Sequence, residues 1–196
     1  ARLFFSLPAS DGFLLAGGGA LLASELTTRP TEDLDFFGQR GRSNVAAARR
    51  QLEAAVVERG WTVVCLQESE SFVRLHLFGL DELLIDIAID VSPGHPPVVS
   101  IVGPTFDPEE LAGRKLTALF DRAEARDFAD VFVLARRFSR ELLLVRAAEI
   151  DRGFDPGVLA SMMRTLDRFT NDELPIEAGD VATMRAFFKD WADRLG

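Results

Sequence analysis

The chain has 196 residues, of which 47% are hydrophobic, and a formal net charge of −9. This length fits one domain or two small ones, with enough apolar side chains for a sizeable core. The acidic balance excludes indiscriminate coating of nucleic acid, so a nucleic-acid partner would need a local basic patch.

The single cysteine, Cys65, excludes an internal disulfide and a zinc site built on cysteines. It lies in the apolar run from Val63 to Leu66, which predicts a buried and inert thiol. No apolar run approaches the length of a membrane span, and the N-terminus lacks a signal-peptide pattern. We therefore expect a cytoplasmic protein with no membrane contact.

Short β-type runs alternate with helical patterns up to about residue 105. In chain order we expect a short apolar helix or turn, a strand at 13–16, three glycines, a short helix at 20–25, a strand at 33–37, a helix from 44 to about 59, and strands at 61–67, 72–78 and 83–90. Residues 79–82 should form the hairpin turn between the last two strands.

The remainder of the chain is almost purely helical in pattern. Asp107 and Pro108 are typical of a helix start, and Asp155 and Asp180 are expected N-caps further on. Helices are expected up to about 138, then at 140–150, 156–169 and 181–195. The pattern predicts an α/β (α+β) domain over residues 1–105, followed by a helical domain over residues 106–196.

The first motif that carries chemistry is Asp33-Leu34-Asp35 on a predicted strand. Because side chains alternate along a strand, both carboxylates should project from one face, with Leu34 and Phe36 on the other. Two carboxylates this close repel each other unless a cation lies between them. Mg²⁺ prefers such oxygen ligands and completes its coordination with water and substrate phosphates.

The second motif is Gly17-Gly18-Gly19, directly after a predicted strand. Glycines let the backbone approach a ligand closely and can turn several N–H groups towards a phosphate. The start of a helix just beyond would add a favourable dipole for an anion. Either motif alone is weak, since a tight turn or a solvated strand face gives the same residues.

The two motifs together resemble the DNA polymerase β-type nucleotidyltransferase superfamily, whose signature is Gly-Gly or Gly-Ser followed by Asp-x-Asp. The resemblance is more specific to the AbiEii-type toxins, which include the MenT toxins of mycobacteria. The matching positions are Gly17, Gly18, Gly19, Ala20 and Leu21, then Arg29, Thr31, Asp33, Asp35 and Phe36. The resemblance implies a polymerase β-type domain with a mixed sheet, in which Gly17–Gly19, Arg29 and Thr31 bind nucleotide and Asp33 and Asp35 bind Mg²⁺.

The resemblance continues into the helical half. AbiEii-like proteins carry a Lys, an Ala-Leu pair, an Arg and an Arg-Asp-x-x-Asp motif there, matched by Lys115, 118–119, Arg122, 126–127 and Asp130. The resemblance implies that Lys115 contacts nucleotide phosphates and that Asp130 orients its neighbours or the acceptor. The alternatives are a solvated lysine, and an ion pair of Arg126 with Asp130 on one helix.

A third carboxylate usually completes the superfamily's site on a later strand. Asp86 and Asp90 share one face of the strand at 83–90, and either could serve. We favour Asp86, because a charge inside an apolar strand is costly unless it has a purpose. Asp90 precedes a turn, where an aspartate is common.

Two weaker features remain. Residues 39–50 contain four arginines and no acid, which indicates either a solvated surface or a contact to a phosphate backbone. His76 is expected to be an ordinary packed or surface histidine, since no cluster of metal ligands accompanies it.

The resemblance implies a toxin of a toxin–antitoxin pair that transfers a nucleoside monophosphate from a nucleoside triphosphate to the 3′ end of tRNA, which blocks aminoacylation and translation. Alternatives are transfer to a small molecule such as an aminoglycoside or to a protein hydroxyl, and a degenerate nucleotide-binding module without activity. In MenT-like relatives, the Ser or Thr at the position of Thr31 can be phosphorylated by the antitoxin. The resemblance therefore implies a cognate antitoxin with kinase activity as a partner and Thr31 as its target.

Overall fold

The computed structural model describes all residues, Ala1–Gly196. The chain divides into two compact units, Ala1–Asp107 and Pro108–Gly196. The first contains a seven-stranded sheet with helices, and the second contains helices alone. The fold is therefore mixed α/β with a helical C-terminal part, as the sequence predicted.

The first unit has three helices, α1 (Arg2–Phe5), α2 (Gly17–Ala23) and α3 (Val45–Val57), and seven strands, β1 (Phe13–Ala16), β2 (Asp33–Gln39), β3 (Thr62–Glu68), β4 (Phe72–Phe78), β5 (Glu82–Asp90), β6 (Val98–Ser100) and β7 (Gly103–Thr105). The strand order in the sheet is β3-β4-β5-β2-β1-β7-β6. The pairs β2–β5 and β1–β7 are parallel and the other pairs are antiparallel, so the sheet is mixed.

The two faces of this sheet differ in character. Alternate residues such as Phe36, Leu75 and Ile87 are fully buried, and α3 packs against β3, β4 and β5. The other alternate set includes Asp33 and Asp35 and is only partly buried. The predicted division of β2 into an apolar and an acidic face is confirmed, and the acidic face carries the candidate chemistry.

Local sequence signals explain where α3 begins and ends. The side chain of Asn44 accepts a hydrogen bond from the backbone N–H of Ala47, which satisfies one unpaired donor at the start of the helix. Gly60, at φ +76°, supplies the left-handed conformation that ends the segment. Both boundaries follow from short-range chemistry and match the sequence prediction closely.

The sequence prediction failed at both edges of the sheet. Strands β6 and β7 were not predicted, because three-residue strands give too little alternation to detect. The prediction of a buried Cys65 is wrong, since the residue is exposed on the edge strand β3. An apolar run shows that a segment can be buried. Whether the segment is buried depends on the position of its strand in the sheet.

The second unit contains five helices, α4 (Pro108–Asp121), α5 (Ala125–Leu134), α6 (Arg140–Ile150), α7 (Pro156–Arg164) and α8 (Val181–Leu195). Ser139 and Asp155 cap α6 and α7 through their side chains, whereas Asp180 occupies the predicted N-cap position of α8 without a side-chain capping hydrogen bond. The Asp180 carboxylate instead accepts a hydrogen bond from Arg136. None of the helices combines the length and apolar character that crossing a membrane requires.

Candidate active site

Asp33 and Asp35 lie at the start of β2, on the acidic face of the sheet. Their α-carbons are about 6.6 Å apart along the strand, close enough for two carboxylates to share one cation. The hydroxyl of Thr31 donates a hydrogen bond to Oδ1 of Asp33 at 2.6 Å. Thr31 therefore fixes one carboxylate of the pair from the loop that enters the strand.

The glycines lie directly against this pair. They form the first turn of α2 rather than preceding it as predicted, so the helix begins at Gly17 and not near Ala20. Gly17 has φ +60°, and a Cβ atom there would overlap Oδ2 of Asp35. Only glycine combines that backbone conformation with this close approach.

The rest of the motif gathers around Gly18. A Cβ atom at this position would lie 2.9 Å from Oγ1 of Thr31 and 3.3 Å from the Arg29 guanidinium. The structure thus brings together Gly17, Gly18, Arg29, Thr31 and Asp35, residues that span 19 positions of the sequence. The backbone of α2, a hydroxyl, a guanidinium and carboxylates converge on one small region.

Asp86 lies beside the pair on the neighbouring strand. In the parallel pairing of β2 with β5, Asp86 is the register partner of Asp35, whereas Asp90 is opposite Gln39 at the far end of the strand. Adjacent strands are about 4.8 Å apart, so the Asp86 carboxylate borders the Asp-x-Asp pair. This position distinguishes Asp86 from Asp90 as the acid nearer to the motif.

Arg74 on β4 was not singled out in the sequence. Its guanidinium donates two hydrogen bonds to Asp86, from Nε at 2.8 Å and from Nη2 at 2.6 Å. The hydrogen bond to Asp86 raises the pKa of Arg74, and the charges of Asp35 and Asp33 raise it further. The hairpin of β4 and β5 is centred on Leu80, so residues 74 and 86 lie opposite each other. Counting outwards from the predicted turn would therefore have paired Arg74 with Asp86.

The donor set fits a divalent cation that also binds substrate. The structure contains no group of three or more His, Cys, Asp or Glu side chains poised to hold a metal. Mg²⁺ usually takes one or two carboxylates and completes its shell with waters and phosphates, which is what Asp33 and Asp35 could offer. The absence of a side chain at Gly17 lets the backbone of α2 lie directly against the Asp35 carboxylate.

The second unit contains a buried cluster of charges around Lys115. The Lys115 ammonium lies 2.8 Å from Oδ2 of Asp130 and 3.8 Å from Oδ1 of Asp127, and its side chain is only 9% exposed. Arg122 binds Asp127 through two hydrogen bonds, at 2.9 and 3.1 Å. Both acids are fully buried, so this cluster ties α4 to α5 and gives Lys115 a structural role whatever else it does.

Asp127 belongs to the Arg-Asp-x-x-Asp motif, but the sequence analysis assigned it no role. Its carboxylate also accepts a hydrogen bond from the backbone N–H of Glu124, which completes a capping box at the start of α5. The Glu124 side chain is in turn paired with Arg126. A capping-box search would have found Asp127, though not its contacts with α4.

The basic stretch is partly neutralised by acids. Arg42 pairs with Asp11, and Arg49 pairs with Glu53 and Glu68. The stretch begins after Gln39, at the end of β2 opposite to the acids, about 17 Å from Asp35 at the rise of a strand. An RNA backbone could reach both regions only by extending along the sheet.

His76 lies on the same face of the sheet as the acids, since it is opposite Leu84, which is opposite Asp33. His76 pairs with Glu82 at 3.1 Å and packs against Phe78, in line with the ordinary role expected of it. A cavity of about 420 Å³ opens at the far end of β1 and β2, lined partly by Phe13, Gln39 and Pro104. Its lining holds none of the candidate site residues.

Glycines packed against strand-borne carboxylates are compatible with a nucleotidyltransferase, and a comparison with protein families identifies that class. Residues 2–194 match the family described as the nucleotidyl transferase AbiEii toxin of type IV toxin–antitoxin systems. The chain therefore belongs to the AbiEii nucleotidyltransferase toxin family. A comparison with curated proteins gives no match.

Solved structures show the same fold. JHP933 from Helicobacter pylori is 22% identical, with a TM-score of 0.59 over 99% of this chain and 89% of that one. MenT4, a nucleotidyltransferase toxin from Mycobacterium tuberculosis, is 16% identical, with a TM-score of 0.59 over 99% of this chain and 84% of its own. The antibiotic-resistance factor ANT(2'')-Ia is 16% identical, with a TM-score of 0.51 over 86% of this chain and 95% of its own.

Gly17→Ala is expected to lower nucleotidyl transfer by about a hundredfold, because the new methyl group displaces Asp35 and small misplacements at a reacting centre have effects of that size. Steady-state kinetics and thermal unfolding should be measured together. Gly60→Ala is the matched control, since Gly60 has a similar φ of +76° with nothing within 4 Å of a Cβ atom. Equal loss of stability with normal transfer in both variants would contradict a special role for Gly17.

Proposed function

We propose that this toxin transfers a nucleoside monophosphate from a nucleoside triphosphate to the 3′ acceptor end of tRNA, which blocks aminoacylation and stops translation. The observation that carries the proposal is the contact of Gly17 with Asp35, together with that of Gly18 with Arg29 and Thr31. These contacts support the proposal that a triphosphate and a cation bind side by side in this region.

In this proposal the triphosphate binds beside Gly17–Gly19, whose backbone lies directly against Asp35, Thr31 and Arg29. The guanidinium of Arg29 supplies positive charge and hydrogen-bond donors for phosphate oxygens, and the hydroxyl of Thr31, which donates to Asp33, borders the same region. Asp33 and Asp35 would hold Mg²⁺, which would supply positive charge to balance that of the phosphate oxygens. Positioning and electrostatics supply most of the rate in such phosphoryl chemistry.

The remaining candidate residues have supporting roles. Asp86 borders the carboxylate pair and is proposed to position it. Lys115 is proposed to bind nucleotide phosphates, and Asp130, which lies 2.8 Å from it, to orient the lysine ammonium. Both assignments rest on the family resemblance. The buried ion pair of Lys115 with Asp130 is compatible with them, because a lysine side chain held in one position loses little conformational entropy when it binds phosphate.

The proposal of tRNA as acceptor follows from the resemblance to MenT-type toxins and places the protein's action in the cytoplasm. Arg40, directly after β2, and Arg50, on α3, are exposed and are proposed to contact the RNA backbone. The fold likeness to the antibiotic-resistance factor ANT(2'')-Ia keeps an aminoglycoside-like small molecule as the second candidate acceptor.

The deciding experiment offers the protein each of the four labelled triphosphates, with Mg²⁺, in the presence of total RNA, an aminoglycoside mixture or cell protein. We expect the label on tRNA. Nuclease digestion of that tRNA should release the label with the 3′-terminal nucleotide. The Asp35→Asn protein is the control for contaminating activity. Label on aminoglycosides or on protein would show that the acceptor is not tRNA. No transfer to any of the three would favour a degenerate nucleotide-binding module.

Thr31 is proposed as the target of an antitoxin with kinase activity. A phosphate group there carries about −1.5 to −2 charges, replaces the hydroxyl that binds Asp33 and takes up the space proposed for the triphosphate. Thr31→Glu is therefore expected to be inactive, whereas Thr31→Ala should escape modification.

Mass spectrometry after co-expression with the antitoxin tests this proposal. Thr28→Ala is the matched control, since Thr28 is exposed three residues earlier. We expect one phosphate on the wild-type protein and on Thr28→Ala, and none on Thr31→Ala. An unmodified Thr31 in a fully neutralised toxin would refute this route and indicate inhibition by complex formation.

A further inference from the structure

The pair formed by Arg74 and Asp86 is the feature of the acidic face that the proposed function leaves unexplained. Its two hydrogen bonds engage both oxygens of the Asp86 carboxylate. The Asp86 side chain is 15% exposed and that of Arg74 is 45% exposed. A salt bridge across two strands is often only a surface contact of little consequence. This one differs because the acid it engages borders the Asp-x-Asp pair.

The placement of the two residues follows from the order of the strands. Asp86 on β5 lies between Arg74 on β4 and Asp35 on β2, and all three are register partners across the sheet. Their side chains therefore project from the same face. The charges of Asp35 and Asp33 act on Arg74, so its guanidinium is within the electrostatic reach of both acids.

We propose that Arg74 is a positioning residue that withholds the Asp86 carboxylate from the metal and limits the acidic face to one cation site, at Asp33 and Asp35. This inference rests on the proposed function, since it presupposes that those two carboxylates bind a divalent cation. A guanidinium bound to both oxygens of Asp86 already supplies the positive charge that a second cation would bring. Its charge also disfavours a cation placed next to it.

Asp33 and Asp35 bind the cation, whereas Asp86, the candidate third acid, holds Arg74 in place beside them. Asp33, Asp35, Asp86 and Arg74 together carry a charge of −2, and Arg29 beside Gly18 adds one positive charge. Without Arg74, three carboxylates would be available and the face could attract cations more strongly.

Titration of the full-length protein with Mn²⁺, followed by electron paramagnetic resonance, tests the inference without measuring activity. We expect Arg74→Gln to bind Mn²⁺ at least fivefold more tightly than the wild type, with more than one ion bound per chain at saturation. Asp86→Asn should bind it at least threefold more weakly, because Arg74 keeps its charge near the site and loses its partner. The double variant with both substitutions should return to within about twofold of the wild type.

The double variant separates the inference from the alternative that Asp86 is itself a metal ligand. In that case binding would stay weak in the double variant, because a ligand is missing whether or not Arg74 is present. Arg74→Lys keeps the charge but loses the paired hydrogen bonds, so its affinity should lie between those of the wild type and Arg74→Gln. This variant also preserves the test if Arg74→Gln does not fold.

Two controls complete the design. Arg50→Gln removes an exposed arginine of the same unit and should change Mn²⁺ affinity less than twofold, which excludes a general effect of net charge. Asp35→Asn should weaken Mn²⁺ binding at least tenfold. If it does not, the proposed metal site itself is wrong. If it does, but Arg74→Gln binds Mn²⁺ no more tightly than the wild type, the inference about Arg74 is overturned and the proposed function stands.

Discussion

Asp35→Asn is expected to lower nucleotidyl transfer by about a thousandfold or more, because a bound metal contributes several kcal/mol to the transition state and each 1.36 kcal/mol is a factor of ten. Asp35 faces the space beside Gly17 and lies two residues from Asp33 on the same face of β2. Asp33→Asn should have an effect of similar size. Either substitution removes one of two like charges, so the fold should be retained.

Transfer of labelled nucleotide, measured with saturating triphosphate and Mg²⁺, tests this prediction alongside thermal unfolding. Asp90→Asn is the matched control, since Asp90 projects from the same face of the sheet but lies opposite Gln39 at the far end of the strand. It should retain activity within a factor of about three, as expected for a charge screened over that distance. Full activity of Asp35→Asn would remove the basis of the proposed function.

Lys115→Ala is expected to lower the free energy of unfolding by about 3–5 kcal/mol, the usual cost of removing one partner from a buried ion pair. The ammonium of Lys115 lies 2.8 Å from Asp130, and both Asp130 and the neighbouring Asp127 are excluded from solvent. Without the lysine, Asp127 keeps its pair with Arg122, whereas the buried Asp130 loses the ammonium group 2.8 Å away. The loss should therefore exceed that of a typical surface substitution several times over.

Denaturant titration measures this loss, and the chain provides a well-matched control. Lys115 and Lys189 are its only two lysines, and Lys189 is exposed. Lys189→Ala should change the free energy of unfolding by less than about 0.5 kcal/mol. An unfolding free energy for Lys115→Ala equal to that of the wild type would show that the buried pair does not stabilise the second unit.

The combined variant with Lys115→Met and Asp130→Asn separates structure from chemistry. Neutral side chains of similar volume often replace a buried ion pair at little cost, so most of the lost stability should return. Transfer should remain at least tenfold below wild type if Lys115 also binds phosphate, which corresponds to about 1.4 kcal/mol. Recovery of both stability and transfer would leave the lysine with a structural role alone.

Local features of the sequence predicted much of the fold. Alternation along Asp33–Phe37 assigned the acids and Phe36 to opposite faces of a strand, and the structure confirms it. The starts of α4 and α7 followed from Pro108, Asp155 and Pro156. These features are predictable because side-chain alternation and capping depend only on residues a few positions apart.

The sequence by itself determined the class of chemistry, because the combination of Gly17–Gly19 with the acids of Asp33–Asp35 is typical of a nucleotidyltransferase. The tertiary structure alone decided that Asp86 borders Asp35, that Lys115 is buried with Asp130, and that Cys65 is exposed. The physical reason is that strand order, burial and ion pairing are set by contacts between residues distant in sequence. A local sequence pattern determines the direction in which a side chain projects. Only the assembled sheet or helix pair determines which other residues that side chain contacts.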